Sequence, residues 1–439
     1  MKRKQSAAQA APHLAVAIAL ALLPTWNAPA IADVPLTLAE AQRQAIGRSQ
    51  MLVAQDYAVT ASREMAVAAA QFPDPVATLG INNLPVDGPD AWSATRDFMT
   101  MRSIGVMQEI TRADKRKARA ERFTREAEKW LTEKSARIAS IQRDTALAWL
   151  DRYYAEAQLA VVTEQSDQAR LEIDATESAY RAGRGGLADI LGARNALVVL
   201  DDRASELRRR IGSAKIALAR WVGDAADAPL AGKPAIDAIA LDRGTLNDVL
   251  AHHPQIAVLA KQEEVADADV KVAQANKKPD WSVALMYSQR GSAYSNMVSL
   301  NVSVPLQWDQ ANRQDREVAA KIAMLDQARA EREDMLRAHA AEVRAMIAEW
   351  ENDRDRSARY ERELVPLASE RTQAILGAYR GGKANVVDLL TARRNEIDVR
   401  LQALQLEMET ARLWAQLNFL IPEGHAEMHA GVNQWRERP

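Results

Sequence analysis

The feature that most constrains this chain is that it repeats itself. AYRAGRGGLADILGAR begins at Ala179 and AYRGGKANVVDLLTAR begins at Ala378; the two align without a gap at an offset of 199 residues (378 against 179). Upstream, Phe72-Pro73-Asp74 matches Lys278-Pro279-Asp280, Thr37-Leu38 matches Thr245-Leu246, and Met101-x-Ser103 matches Met297-x-Ser299. Order and spacing recur as well as composition, so the chain holds two copies of one unit. Each copy runs helix, extended pair, long helix, glycine-rich turn, return helix. The copies span 33–222 and 245–421, joined by a linker at 223–244 and followed by a tail at 422–439.

The helices are long. From 112 to 180 there is neither Pro nor Gly; a helix of that length spans roughly 100 Å at 1.5 Å per residue. The second long helix is expected over 309–380, the return helices over 187–222 and 386–420, and the opening helices over 38–71 and 245–277. Ala193, Leu197, Leu200, Ala204, Leu207, Ile211, Ala214 and Leu218 alternate in steps of four and three, as do Ile397, Leu401, Leu404, Met408, Ala411 and Ala415. That heptad seam keeps one face of each helix against a partner. Aromatics are only 5% of the chain, which suits Ala-rich helix seams better than a large globular core.

The extended segments alternate with period two. Trp281, Val283, Leu285 and Tyr287 share one face, and so do Val298, Leu300, Val302 and Val304. Strands are expected over 281–288 and 297–306, and more weakly over 76–84 and 99–110, each pair enclosing a polar loop. About 9–11 residues suffice for a strand to cross a membrane; a soluble hairpin buried on one face is the alternative. Four strands cannot close a barrel, because the smallest have about eight and open edges in lipid leave backbone groups unpaired. Membrane strands here therefore imply a barrel shared between chains, twelve strands in a trimer.

Lys2, Arg3 and Lys4, an apolar stretch over 14–23 and Ala30-Ile31-Ala32 make a secretory signal with cleavage after residue 32. Cys is absent, which excludes disulfides, thiolate metal sites and a lipidated N-terminal cysteine. A net charge of −2 gives no bias toward nucleic acid. There is no G-x-S-x-G, Walker A or H-E-x-x-H motif. His252-His253 before Pro254 have no converging partner in the sequence, and no enzyme activity or cofactor is expected.

Signal, repeat, paired strands and Tyr-Arg-x-Gly turns together resemble the TolC-like outer-membrane factors. The resemblance rests most on Ala179-Tyr180-Arg181-Ala182-Gly183 with Leu187-Ala188-Asp189-Ile190-Leu191, and on Ala378-Tyr379-Arg380-Gly381-Gly382 with Val386-Val387-Asp388-Leu389-Leu390. It implies a mainly α chain of repeated helical hairpins, a homotrimer with a 12-stranded barrel in outer-membrane lipid, and most of the mass in the periplasm. It also implies partners: a periplasmic adaptor (membrane fusion protein) and an inner-membrane RND-type transporter. The turn residues Tyr180, Arg181, Gly183, Gly185, Gly186, Tyr379, Arg380, Gly381, Gly382 and Lys383 would then form hairpin tips that meet the adaptor. Asp388, with Asp189 in the other copy, would line a periplasmic gate. Thr391 stands where the efflux members have a second acid, and helix capping is the competing role for both aspartates.

Pro366 lies inside the second long helix only, and is expected to kink it. Asn83-Leu84-Pro85, 97–101 and Gln108-Glu109 look like the heavy-metal efflux branch (cobalt/zinc/cadmium or copper). Methionines on or near the strands suit Cu(I) but suit ordinary packing equally. His425, Met428 and His429 are weak metal candidates. Type I secretion or drug efflux are alternatives within the family; an adaptor or coiled-coil scaffold is the alternative outside it.

Overall fold

The computed structural model describes residues 35–239, 241, 250 and 253–420. The secretory signal, His252, the anchor Thr245-Leu246, and the tail residues His425, Met428 and His429 lie outside the described residues. The elements are α1 (Leu38–Arg48), α2 (Gln50–Ala69), β1 (Val76–Asn82), β2 (Met101–Ile110), α3 (Ala113–Arg181), α4 (Leu187–Val222), a 3-10 turn (Gly223–Asp227), α5 (Pro254–Asn276), β3 (Trp281–Gln289), β4 (Met297–Ser303), α6 (Gln314–Arg359), a π turn (Tyr360–Leu364), α7 (Val365–Arg380) and α8 (Val386–Asn418). The fold is mainly helical with one small antiparallel sheet, as the repeat predicts.

Several boundaries differ from the pattern, each for a local reason. The opening helix breaks at Ser49, whose hydroxyl accepts from Leu52 N at 3.4 Å and starts α2. β1 ends at Asn82 because Asn83 is left-handed, at φ 57°. β2 begins at Met101, not 99, because the Asp97 carboxylate holds the amides of Met99 and Thr100 in a turn. β4 stops at Ser303, two residues before Pro305, which has no N–H for a ladder; Val304 lies just beyond the strand and is exposed. α6 begins at Gln314, after a turn closed by Asn312 on Asp309.

α3 is one unbroken helix of 69 residues. The predicted seams are packed: Ala193, Leu200, Ala204, Leu207 and Leu218 are buried on α4, and Ile397, Ala411 and Ala415 on α8. The largest core sits at mid-length, where Trp149, Tyr154, Leu218, Val343, Trp350 and Trp414 gather. Three indoles there tie irregular chain to the helices. Trp149, Trp350 and Trp414 donate to the carbonyls of Leu36, Ile236 and Ala238 at 3.0, 3.2 and 3.0 Å. Satisfying those carbonyls lets the irregular segments at Leu36 and at Ile236–Ala238 lie against the core without stranded carbonyl groups there.

Candidate functional site

The sheet, at one end of the long helices, has order β1-β2-β3-β4, all antiparallel. Its registers align the apolar residues in rows. Leu79, Ile104, Tyr287 and Val298 form one row; Ala77, Val106, Leu285 and Leu300 form the next; Val283 and Val302 follow, then Ile110 with Trp281. This face is bare: Leu79 is 77% exposed, and Val298 and Leu300 69% each. A contiguous apolar surface of this kind needs an apolar environment. β2 has 10 residues, which at a membrane-barrel tilt reaches about the 25 Å of an outer-membrane apolar band. No described helix is long and apolar enough to cross a membrane.

The opposite face carries Thr78, Gly80, Asn82, Ser103, Gly105, Ser282, Ser288, Ser299 and Asn301. Asn82 donates to Ser103 Oγ at 2.7 Å, and Ser103 Oγ lies 3.3 Å from Ser288 Oγ. Among these small and polar residues stand four methionines: Met101, Met107, Met286 and Met297. Met107, Met286 and Met297 occupy diagonal neighbouring positions on three successive strands, the spacing at which long side chains meet.

At the far end of the helices the two turns are built alike. Gly183 N donates to Tyr180 O at 2.9 Å and Arg184 N to Ala179 O at 2.9 Å; Gly382 N donates to Tyr379 O at 3.0 Å and Lys383 N to Ala378 O at 2.8 Å. Gly183 and Gly382 have φ of 70° and 69°, a conformation that favours glycine at a helix C-terminus. Tyr180, Arg181, Arg380, Gly381 and Lys383 are exposed at these turns, while Gly185 and Tyr379 are half-buried.

The aspartates differ. Asp189 Oδ2 accepts from Gly186 N at 2.9 Å, so its carboxylate closes its own helix start. In the second copy Asn385 does the capping, accepting from Asp388 N at 2.8 Å. The exposed Asp388 carboxylate has no hydrogen bond or ion pair among the described residues. Thr391 is exposed and its hydroxyl donates to Val387 O at 2.8 Å. A groove of about 370 Å³ beside it separates α4 from α8, lined by Gly192, Val199, Leu390, Thr391 and Arg394.

Pro366 does not break its helix. Val365 N donates to Tyr360 O, a five-residue step that widens the helix into the π turn just ahead of the proline. That extra width relieves the clash between the proline ring and the preceding turn.

Sequence reasoning missed two features. α8 is clamped to α3 of the other hairpin by Arg393–Glu172 at 3.0 Å and Arg400–Glu164 at 2.8 Å. Burial pushes the Glu172 carboxyl up from its ordinary range, and Arg393 draws it back. The Arg400 hydrogen bond, against some burial, holds the Glu164 carboxyl below its ordinary range. His253 also has a partner: the His339 ring lies 4.2 Å from it, and both are buried. Burial and the second imidazole lower the His253 pKa to about 4. Neither contact has a spacing signature, because each joins residues more than eighty positions apart. Among the described residues no cluster of three His, Asp or Glu could hold a metal ion.

Comparison with known proteins gives one family match: the profile for outer membrane efflux proteins covers residues 245–422, the second copy of the repeat. No curated protein matches the chain. Solved structures with the same fold include the outer-membrane channel OprN, with a TM-score of 0.73, 18% identity, and coverage of 88% of this chain and 90% of that one. CusC, described as forming a transmembrane channel, gives 0.73 at 16% identity over 89% and 93%. The open state of the MtrE outer membrane channel of Neisseria gonorrhoeae gives 0.71 at 16% identity over 88% and 89%. Identities this low establish likeness of fold.

Proposed function

We propose that this chain is the outer-membrane channel-tunnel component of a tripartite efflux system, passively conducting cargo outward. The observation that carries the reading is the four-stranded sheet with one bare apolar face, set on paired helices roughly 100 Å long. The family match to the second copy and the shared fold of three channels support it. The chain acts as a homotrimer with its sheet in outer-membrane lipid and its helices in the periplasm. The tips, with Arg181, Arg380 and Lys383 exposed, meet an adaptor, which links them to an RND-type inner-membrane transporter. Asp388 lines the periplasmic constriction, where copies of a free carboxylate attract cations.

The direct test is fractionation. The protein is expected in the outer membrane, extracted only by detergent, as a trimer that heat dissociates. Recovery as a soluble periplasmic monomer overturns the reading.

For cargo we propose heavy-metal cations. The support is the four methionines on the polar face, since thioethers bind soft cations such as Cu(I). A deletion strain is expected to become sensitive to copper, silver, cobalt, zinc or cadmium. Sensitivity to drugs and dyes alone assigns the channel to drug efflux instead.

A further inference from the structure

The chain has 6 histidines, of which His13 lies in the segment expected to be cleaved. Every other one is tied to a single place in the fold. His253 and His339 meet at the joint of α3, α5, α6 and α8, their ring centroids 4.2 Å apart. A cavity of about 440 Å³ opens there, lined in part by His253, His339, Met346, Phe419 and Leu420. His252 adjoins His253 in sequence, and the chain runs on from Leu420 to His425 and His429. Those three lie outside the described residues; chain connectivity alone brings them to the cavity's edge.

The two imidazoles at the joint are not equivalent. His253 Nδ1 accepts from Gln255 N at 3.3 Å, and the ring is also hydrogen-bonded to the Leu420 backbone. Both of its nitrogens are therefore occupied. His339 is 8% exposed, and its Nε2 is buried without a hydrogen-bond partner. A polar atom left in that state costs free energy until something satisfies it. The other nitrogen, Nδ1, lies 3.6 Å from Glu342 Oε2. A carboxylate beside one imidazole nitrogen draws the proton to that side and leaves the lone pair on the other, which is how metal-binding histidines are commonly held. Met346 stands seven residues further along α6, on the same face as His339 and on the same cavity. Among the described residues no third His, Asp or Glu completes a site.

We propose that a divalent cation of the zinc and copper(II) class is bound jointly by His339 Nε2 and by His425 and His429. Imidazole is the ligand that suits these ions, and three imidazoles are a known ligand set for zinc. His425 and His429 have the i, i+4 spacing at which two imidazoles on one helical turn share a metal. Reach is sufficient: five and nine residues beyond Leu420, an extended chain spans at most about 18 and 32 Å. His253, packed on the His339 ring, and Glu342, beside its Nδ1, are positioning residues. The bound ion ties the chain beyond α8 to α6. This site is separate from the methionines of the sheet, and it stands whether or not the channel carries metals.

The probe is the metal alone. The full chain, purified in detergent without a polyhistidine tag and stripped with chelator, is expected to bind one Zn²⁺ per chain, and Co²⁺ to give the absorption of a tetrahedral site. His339→Asn is expected to weaken zinc binding about a hundredfold and to abolish the Co²⁺ spectrum, and so is His425→Ala with His429→Ala; Glu342→Gln should weaken it about tenfold. Zinc should also raise the melting temperature of the parent by several degrees, because only the folded chain brings His339 to the other two histidines. That rise should vanish when His425 and His429 are replaced. Binding that survives His339→Asn but not the loss of His425 and His429 puts the ion on those two alone and overturns the proposal. Unaltered binding in every variant marks an adventitious ion only and overturns it as well. So does a parent whose melting temperature zinc leaves unchanged, a measurement that does not depend on any His339 variant folding.

Discussion

The two hairpins share a turn and differ in how they are held. In the first, α3 runs unbroken to its tip, Asp189 is spent on its own cap, and Arg194 pairs with Glu177 inside the same hairpin at 2.7 Å, well exposed. In the second, the long helix carries a π turn and Pro366, the Asp388 carboxylate has no partner among the described residues, and Arg393 reaches across to Glu172 in a nearly closed environment. Arg194 and Arg393 are the same position in the repeat. One sequence unit has thus been put to two uses. The first hairpin is self-contained, while the second is softened along its length and locked from outside. On the channel reading proposed above, the second hairpin is the one expected to move if the tip opens.

The largest effect should come from the lock. Arg393→Ala leaves Glu172 and the buried Glu396 without their cation and is expected to weaken the α3–α8 contact by roughly 3 kcal/mol. Arg194→Ala removes an exposed pair worth about 0–1 kcal/mol. Single-channel recordings are expected to show the first variant open far more often and the second near wild type; equal behaviour breaks the comparison.

Pro366→Ala comes next. Alanine restores an amide and removes the ring clash, so the helix through Tyr360–Leu364 should stiffen by up to about 3 kcal/mol. Trimer yield should hold while conductance and efflux fall. Unchanged conductance together with unchanged efflux would show that the π turn has no part in gating.

The aspartates sharpen the contrast. Asp388→Asn is expected to lower cation selectivity severalfold in planar bilayers with little change in melting temperature. Asp189→Asn should do the reverse, costing about 1 kcal/mol through the weakened cap and leaving selectivity alone. Matching selectivity losses would place both side chains in the pore.

The smallest effect concerns His253, beneath the second hairpin. A histidine held neutral to about pH 4 favours the folded state less as the unfolded chain takes up its proton. Its contribution is present above the ordinary histidine pKa of about 6.5 and is lost as pH falls from there toward 4. His253→Asn keeps a capping acceptor for Gln255 N and is expected to flatten this part of the melting profile between those values. An identical pH slope in variant and parent rules out the histidine as its source.

Much of this was legible in the sequence because its causes are local or periodic. The offset of 199 residues located both turns, since a helix reversal needs glycine at one backbone position. Alternation named the outward strand residues, because successive side chains of a strand point to opposite faces. The heptad seams named the packed faces of α4 and α8. Strand ends were misjudged where a single residue overrode the pattern, as at Asn83 and Asp97. The Arg393 clamp, the His253–His339 contact and the division of roles between Asp189 and Asp388 left no trace in spacing.

By itself, then, the sequence determined that the chain is two copies of a helix, strand pair and hairpin, with an apolar strand face and glycine-built turns. Repetition, period and turn chemistry are properties of neighbours along the chain. Tertiary structure alone decided which copy of a repeated residue is buried across the hairpins and which stays exposed within one. It also set which aspartate caps and which is free, and how Pro366 is absorbed without a break. Those outcomes depend on groups that the fold brings together from far apart, and identical sequence units can meet different neighbours.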